Sequence, residues 1–197
     1  MAVNKLMGFY ELQSMSLPVI PWKEYSNEEN FVEEYLWTVR SAVYQGDDLN
    51  LPRLVGAKAD CAKMFAKKLS YEMKDNGIVI YYPYFVAKKS GTLEVRNNKL
   101  IIEAVESDLW NMVTFSERNI TIQYIDNQEI IDGNSNFLSA EEKRSILSYV
   151  GEIKKKFRDD LVEGKSVLLE WSYAQNCNID KKPVGDEYLV FYEVRTV

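Results

Sequence analysis

Glu170, Glu193 and Arg195 interrupt two C-terminal runs that otherwise have the look of buried strands. In VLLEWSYA (167–174) and EYLVFYEVRTV (187–197) the apolar residues are β-branched or aromatic, as in strands packed on a core. Side chains alternate across a strand, so Phe191, Glu193 and Arg195 are expected on one face and Val190, Tyr192 and Val194 on the other. The two-residue step sets Glu193 and Arg195 about 7 Å apart. If the runs pair as a hairpin, Glu170 lies beside Glu193, and two carboxylates about 4 Å apart repel by about 4 kcal/mol at an effective dielectric of about 20. A shared divalent cation reverses that sign. The alternative is a surface hairpin whose glutamates and arginine are solvated or paired with one another, an arrangement that contributes little.

The rest of the composition narrows the chemistry. The chain has 197 residues and a net charge of −6, with its 24 lysines and arginines scattered, so it carries no basic footprint for nucleic acid. Its apolar stretches are too short to span a bilayer, and the start MAVNKLMGF lacks the apolar core of a signal peptide, so the expectation is a soluble cytoplasmic protein with no membrane partner. Histidine is absent, which removes the commonest general base and metal ligand and any phosphohistidine within this chain. Cys61 and Cys177 form neither a CxxC nor a zinc pattern and read as ordinary thiols. No Walker-type glycine loop or internal repeat occurs. Chemistry must rest on carboxylates, lysine and arginine.

The elements that would position these groups are legible in outline. Residues 5–15 suit a short helix, ended by SLPVIP, whose prolines force an extended connection. Ser26 is placed to cap a second helix through Tyr35. LWTVRSAVY (36–44) reads as a strand, and QGDDLNLPRLVG (45–56) as an irregular loop. From 57 to 75, Cys61, Phe65, Leu69 and Met73 mark the apolar face of a helix stopped at Asn76-Gly77. GIVIYYPYFVA (77–87) reads as a buried strand that Pro83 bends or ends, and short strands are expected at 92–96, 99–105, 120–126 and 129–132. Ser139 and Glu142 form a capping box, and Ile146, Val150, Ile153, Phe157 and Leu161 mark one helical face up to Gly164. The pattern predicts an α+β fold, one domain with a mainly antiparallel sheet, flanking helices and a cleft between lobes of about 1–86 and 87–197.

Taken in order, these segments resemble the nucleotide-binding, ATP-grasp domain of the phosphoenolpyruvate synthase and pyruvate phosphate dikinase family, in a shortened form. The resemblance is carried by NKLMGFYELQSMSLPVIPW, TVRSAVYQGDDLNLPRLVG, GIVIYYPYFVAKKSGTLEV, LIIEAVESDLW, and LLEWSYA with FYEVRTV. It implies that Arg40, Ser41, Asp47, Asp48 and Gly56 face phosphate, and that residues 79–85, with Val79, Tyr82 and Tyr84, flank adenine. Glu170 and Glu193 would hold Mg²⁺ against ATP, Arg40 and Arg195 would grip phosphate oxygens as the catalytic groups, and Lys5 would add a point charge. A partner chain or domain would carry the phosphorylatable histidine, since this chain has none. The sequence departs from the family at several points. Val3 and Asn4 replace glycines, Ser107-Asp108-Leu109 replaces a glycine-rich turn, Trp110 stands for an acidic residue, and Glu193 for a glutamine. From another class comes a non-catalytic interaction or nucleotide-sensing module using aromatic surface around Tyr81, Tyr82, Tyr84 and Trp110, against which stands ordinary core packing of the same rings.

Overall fold

The computed structural model describes residues 5–27, 30–46, 51–126 and 128–197, Val113 by its backbone alone. α1 (Lys5–Gln13) leads through an extended stretch to β1 (Lys23–Glu24), β2 (Leu36–Val43), β3 (Arg53–Lys58), α2 (Ala59–Met73) and β4 (Gly77–Pro83). β5 (Phe85–Val95), β6 (Lys99–Glu106), α3 (Trp110–Phe115), β7 (Ile120–Ile125) and β8 (Gln128–Gly133) follow. α4 (Ala140–Ser148), α5 (Val150–Lys156) and α6 (Arg158–Val162) precede the hairpin of β9 (Val167–Cys177) and β10 (Pro183–Thr196). The strands form two antiparallel sheets, ordered β1-β4-β2-β3 and β10-β9-β5-β6-β7-β8. No described helix is long and apolar enough to cross a membrane.

The uninterrupted apolar run of β4 has a simple cause: both of its faces are covered. Val79 and Tyr81 pack under α2, while Ile78, Ile80 and Tyr82 join Phe9, Trp22, Ala174 and Val190 between the two sheets. Pro83 ends β4, as the sequence suggested. The chain crosses to the larger sheet through Tyr84, whose N–H donates to Leu36 O at 2.8 Å.

One face of the larger sheet carries the main core. Leu93, Ile102, Ile122, Leu169 and Phe191 meet Ile146, Val150, Ile153, Phe157 and Leu161 of α4–α6. Trp171 is fully buried there, and a Cβ on Gly91 would collide with its ring. α1 lies against β10 so closely that a Cβ on Gly8 would collide with the carbonyl oxygen of Val194. The extended connection then runs along β10, where Phe191 N–H donates to Pro18 O at 2.7 Å and Ile20 N–H to Phe191 O at 3.2 Å.

Five expectations are corrected. The described residues of 26–35 are not helical, because Tyr25 and Phe31 are drawn into the aromatic cluster of Trp37 and Tyr81 and Val32 O accepts from Trp37 Nε1 at 3.0 Å. The end of the 45–56 loop is instead β3, paired with β2. On α2 the buried residues are Ala59, Ala62, Ala66, Leu69 and Met73, with Cys61 exposed; a strict four-residue repeat drifts off a 3.6-residue helix. The Ser139 capping box is present, yet the long helix is three short ones, broken at Tyr149 and Phe157, with its apolar face unbroken. Finally, Phe191 and Glu193 face opposite sides of the sheet, because β10 has a bulge between them.

Candidate functional site

A cavity of about 640 Å³ opens between the two sheets. β2 and β3 contribute Arg40, Ser41 and Arg53; β9 and β10 contribute Glu170, Ser172, Tyr192, Glu193 and Arg195. Lys5 of α1 and Asp108 of the loop before α3 complete its charged lining. Tyr82, Tyr84, Phe85 and Trp110 supply aromatic wall.

Glu170 and Glu193 are direct cross-strand partners in the β9–β10 ladder, as the hairpin reading required. Arg195 reaches both, with Nη2 3.6 Å from Glu170 Oε1 and Nη1 3.9 Å from Glu193 Oε1. Arg40 Nη2 reaches Glu193 Oε2 at 3.5 Å from the other sheet, and its guanidinium lies over the Phe9 ring at 5.3 Å. The repulsion between the carboxylates is thus offset by two arginines in this structure. These contacts are longer than the 2.7–2.9 Å or so of a tight charge-assisted hydrogen bond, and Arg195 Nε is buried with no hydrogen-bond partner among the described residues.

The electrostatics reflect this crowding. Burial, and next the charge of Glu193, push the Glu170 carboxyl up to about 7, against the pull of Arg195, Arg40 and Lys5. Burial works against the Arg40 charge, but Tyr82 and Glu193, with Glu170 behind them, outweigh it and raise its pKa. Burial and then Glu170 raise the Tyr192 hydroxyl well above its ordinary value.

Of the residues singled out from sequence, Lys5, Arg40, Ser41, Tyr82, Tyr84, Glu170, Glu193 and Arg195 all line the cavity. Ser41 donates its hydroxyl to Pro52 O at 3.1 Å. Gly56 lies beside Tyr84 and Lys181, and the Lys181 ammonium sits over the Tyr84 ring at 5.5 Å. Val79 does not reach the cavity: strand alternation turns it into the core beneath α2. Asp47 and Asp48 lie outside the described residues. Tyr81 and Tyr82 are buried, so the proposed aromatic surface is reduced to Tyr84 and Trp110.

Sequence reasoning gave no role in the site to Arg53, Ser90, Asp108, Ser172 or Tyr192, which also line the cavity. Arg53, which lies over Trp110 at 5.1 Å, was hidden in a presumed loop. Ser90 and Ser172 follow from strand alternation with Glu170, a signal that was available.

Mg²⁺ is usually held by one or two carboxylates and completed by water and phosphate oxygens. Glu170 and Glu193 fit that need, whereas no group of three or more His, Cys, Asp or Glu able to hold a metal occurs among the described residues. The donor set suits a cation shared with a polyanionic ligand and does not suit an all-protein cage.

No protein-family model and no curated protein sequence matches the chain. Among solved structures, D-alanine–D-alanine ligase from Bacillus anthracis aligns over 99% of this chain at TM-score 0.51 and 12% identity. The corresponding ligase from Helicobacter pylori aligns over 98% at 0.48 and 12%, and N5-carboxyaminoimidazole synthetase from Staphylococcus aureus over 98% at 0.46 and 12%. The chain spans 56%, 50% and 43% of those three chains, about half their length. The likeness to the Bacillus anthracis ligase is one of fold: the chain has the α+β ATP-grasp fold, antiparallel sheets flanked by helices.

Proposed function

We propose that the cavity binds ATP with Mg²⁺ and that the chain is an ATP-binding unit for phosphoryl transfer to an acceptor brought by another domain or chain. The observation that carries this reading is the connected cluster Arg40–Glu193–Arg195–Glu170 in a cavity walled by aromatic side chains. Phosphoryl transfer needs alignment and charge neutralisation more than covalent help. Glu170 and Glu193 would hold Mg²⁺, which neutralises charge on the β- and γ-phosphates. Arg40 and Arg195, released from the carboxylates, would hold phosphate oxygens, with Lys5 as a further point charge. Tyr84, where the chain passes between the sheets, would flank the base together with Tyr82.

The sequence resemblance to phosphoenolpyruvate synthase and pyruvate phosphate dikinase favours a histidine acceptor on a partner. The fold likeness to the Bacillus anthracis ligase favours a second reading, ligase-type activation of a carboxylate as an acyl phosphate. A nucleotide sensor without turnover shares the first step of both.

Thermal unfolding with Mg-ATP tests the common step. Ligand at about 100 times its Kd adds about 2.7 kcal/mol, or roughly 5–10 °C in Tm for a chain of this size. Replacing Glu170 and Glu193 together by glutamine should abolish the Mg²⁺-dependent part of the shift, read against the Tm of the variant's own apo form. No shift at millimolar Mg-ATP would sink the proposal. With γ-labelled ATP, transfer of label to a partner histidine supports the first reading, and hydroxamate formed in the presence of hydroxylamine supports the second.

A further inference from the structure

Tyr84 is tied to both sheets, by its backbone and by its ring. Its N–H donates to Leu36 O of β2 at 2.8 Å, and its carbonyl oxygen lies 3.9 Å from Cys177 Sγ of β9. Its ring meets β3 and the tip of the β9–β10 hairpin, where the Lys181 ammonium stands over it at 5.5 Å. Gly56 of β3 leaves room for this contact. A Cβ at that position would stand 3.4 Å from Tyr84 Cδ1, 3.2 Å from Lys181 Cε and 3.3 Å from its Nζ, and the two lysine distances are tighter than ordinary packing.

The hairpin tip is built to hold Lys181 in this place. Lys181 has φ +62°, a left-handed conformation that suits glycine or asparagine and costs any residue with a longer side chain. Asn178 imposes it. Its Oδ1 accepts from the N–H groups of Asp180 and Lys182, both at 3.0 Å, while its backbone N–H donates to Lys182 O and its carbonyl accepts from Lys181 N–H, also at 3.0 Å. Backbone strain of this kind persists only where the surroundings over-determine it. As a turn former, lysine is a poor choice at this position. What it contributes is an ammonium group that enters no ion pair among the described residues and rests on the Tyr84 ring. Tyr84 lines the cavity whereas Lys181 does not, so the lysine meets the cavity through the ring it supports.

We infer that Lys181 is a positioning residue that fixes the Tyr84 ring as a stacking surface for the base of the nucleotide. The inference rests on the nucleotide reading above. The test is calorimetric titration of the full chain with the Mg²⁺ complexes of ATP and of inorganic tripolyphosphate, which shares the phosphates and lacks the base. Lys181→Met removes the charge and keeps the length; it should weaken ATP about two- to fivefold, the range set by one cation–π contact at an exposed site, and leave tripolyphosphate unchanged. Lys181→Arg should retain wild-type affinity for both, because a guanidinium also rests on an aromatic face. Lys181→Gly relieves the left-handed backbone, so its apo Tm should not fall below that of wild type while its ATP affinity drops as in Lys181→Met; a purely structural turn residue would move the two together. In a Tyr84→Leu background Lys181→Met should have no further effect on ATP. If wild type binds ATP and Lys181→Met keeps the wild-type affinity, weakens tripolyphosphate to the same extent, or acts equally in Tyr84→Leu, the inference is overturned and the nucleotide reading stands. If wild type does not bind ATP, both fall.

Discussion

Arg40 of β2 and Glu193 of β10, 153 positions apart in the chain, meet at 3.5 Å across the boundary between the two sheets. Their side chains are only 14% and 6% exposed. Arg195 links the same carboxylate to Glu170. Four ionisable groups are therefore coupled in one cluster, and removing either Arg40 or Glu193, its most buried members, unbalances the rest.

Arg40→Met should lower stability by about 2–4 kcal/mol, because it leaves Glu193 desolvated with only Arg195, 3.9 Å away, as ion-pair partner among the described residues. Adding Glu193→Gln should recover more than about 1 kcal/mol relative to the sum of the single changes. Urea unfolding of the four proteins in the cycle measures this, and strict additivity would mean that the two sheets are not coupled through this pair.

Glu170 predicts how the free protein responds to pH. Its carboxyl titrates at about 7 in the folded state against an ordinary value of 4.5, so between these values the folded chain binds more protons than the unfolded one. This contribution is fully present below about 4.5 and is lost as pH rises through about 7, a loss of about 2–3 kcal/mol. Apo stability measured from pH 5 to 8 should fall, and Glu170→Gln should flatten the fall. Cation binding requires the deprotonated carboxylate, so a shift induced by Mg-ATP should grow over the same window. A Mg²⁺-dependent shift that shrinks toward pH 8 would exclude Glu170 as a ligand.

Much of this arrangement was legible because it rests on strand periodicity and hairpin pairing. Glu170 opposite Glu193 follows from two adjacent strands, and the Ser139 capping box from two residues three apart. The bulge at Tyr192 left no mark in the sequence, since an inserted residue that is itself apolar and aromatic preserves the composition of the strand. Val79 was misplaced because both faces of β4 are buried and a continuous apolar run does not say which face meets the cavity. The segment after Ser26 has helix-start residues, but aromatic packing of Tyr25 and Phe31 on Trp37 and Tyr81 outweighs a weak local propensity.

Gly8 offers a test of how α1 holds Lys5 at the cavity. In a helix interior Gly→Ala should stabilise by about 1 kcal/mol. Here the new Cβ meets the Val194 carbonyl, so Gly8→Ala should instead destabilise by about 1–3 kcal/mol, as overpacking does. Thermal unfolding decides the sign, and stabilisation would show that α1 is free to lift from β10.

Trp110 should report on the cavity by its fluorescence. It is 50% exposed, whereas Trp22 and Trp37 are 7% exposed and Trp171 is fully buried. Acrylamide should therefore quench mainly Trp110, and Trp110→Phe should remove most of the quenchable emission. Trp110 lines the cavity beneath Arg53, a contact worth about 0.5–1 kcal/mol at an exposed site, which a polyphosphate can outcompete. Mg-ATP should thus change the emission of Trp110 and reduce its access to quencher, and Arg53→Ala should raise quenching in the free protein. Emission that responds to Mg-ATP equally in Trp110→Phe would place the ligand away from this wall of the cavity.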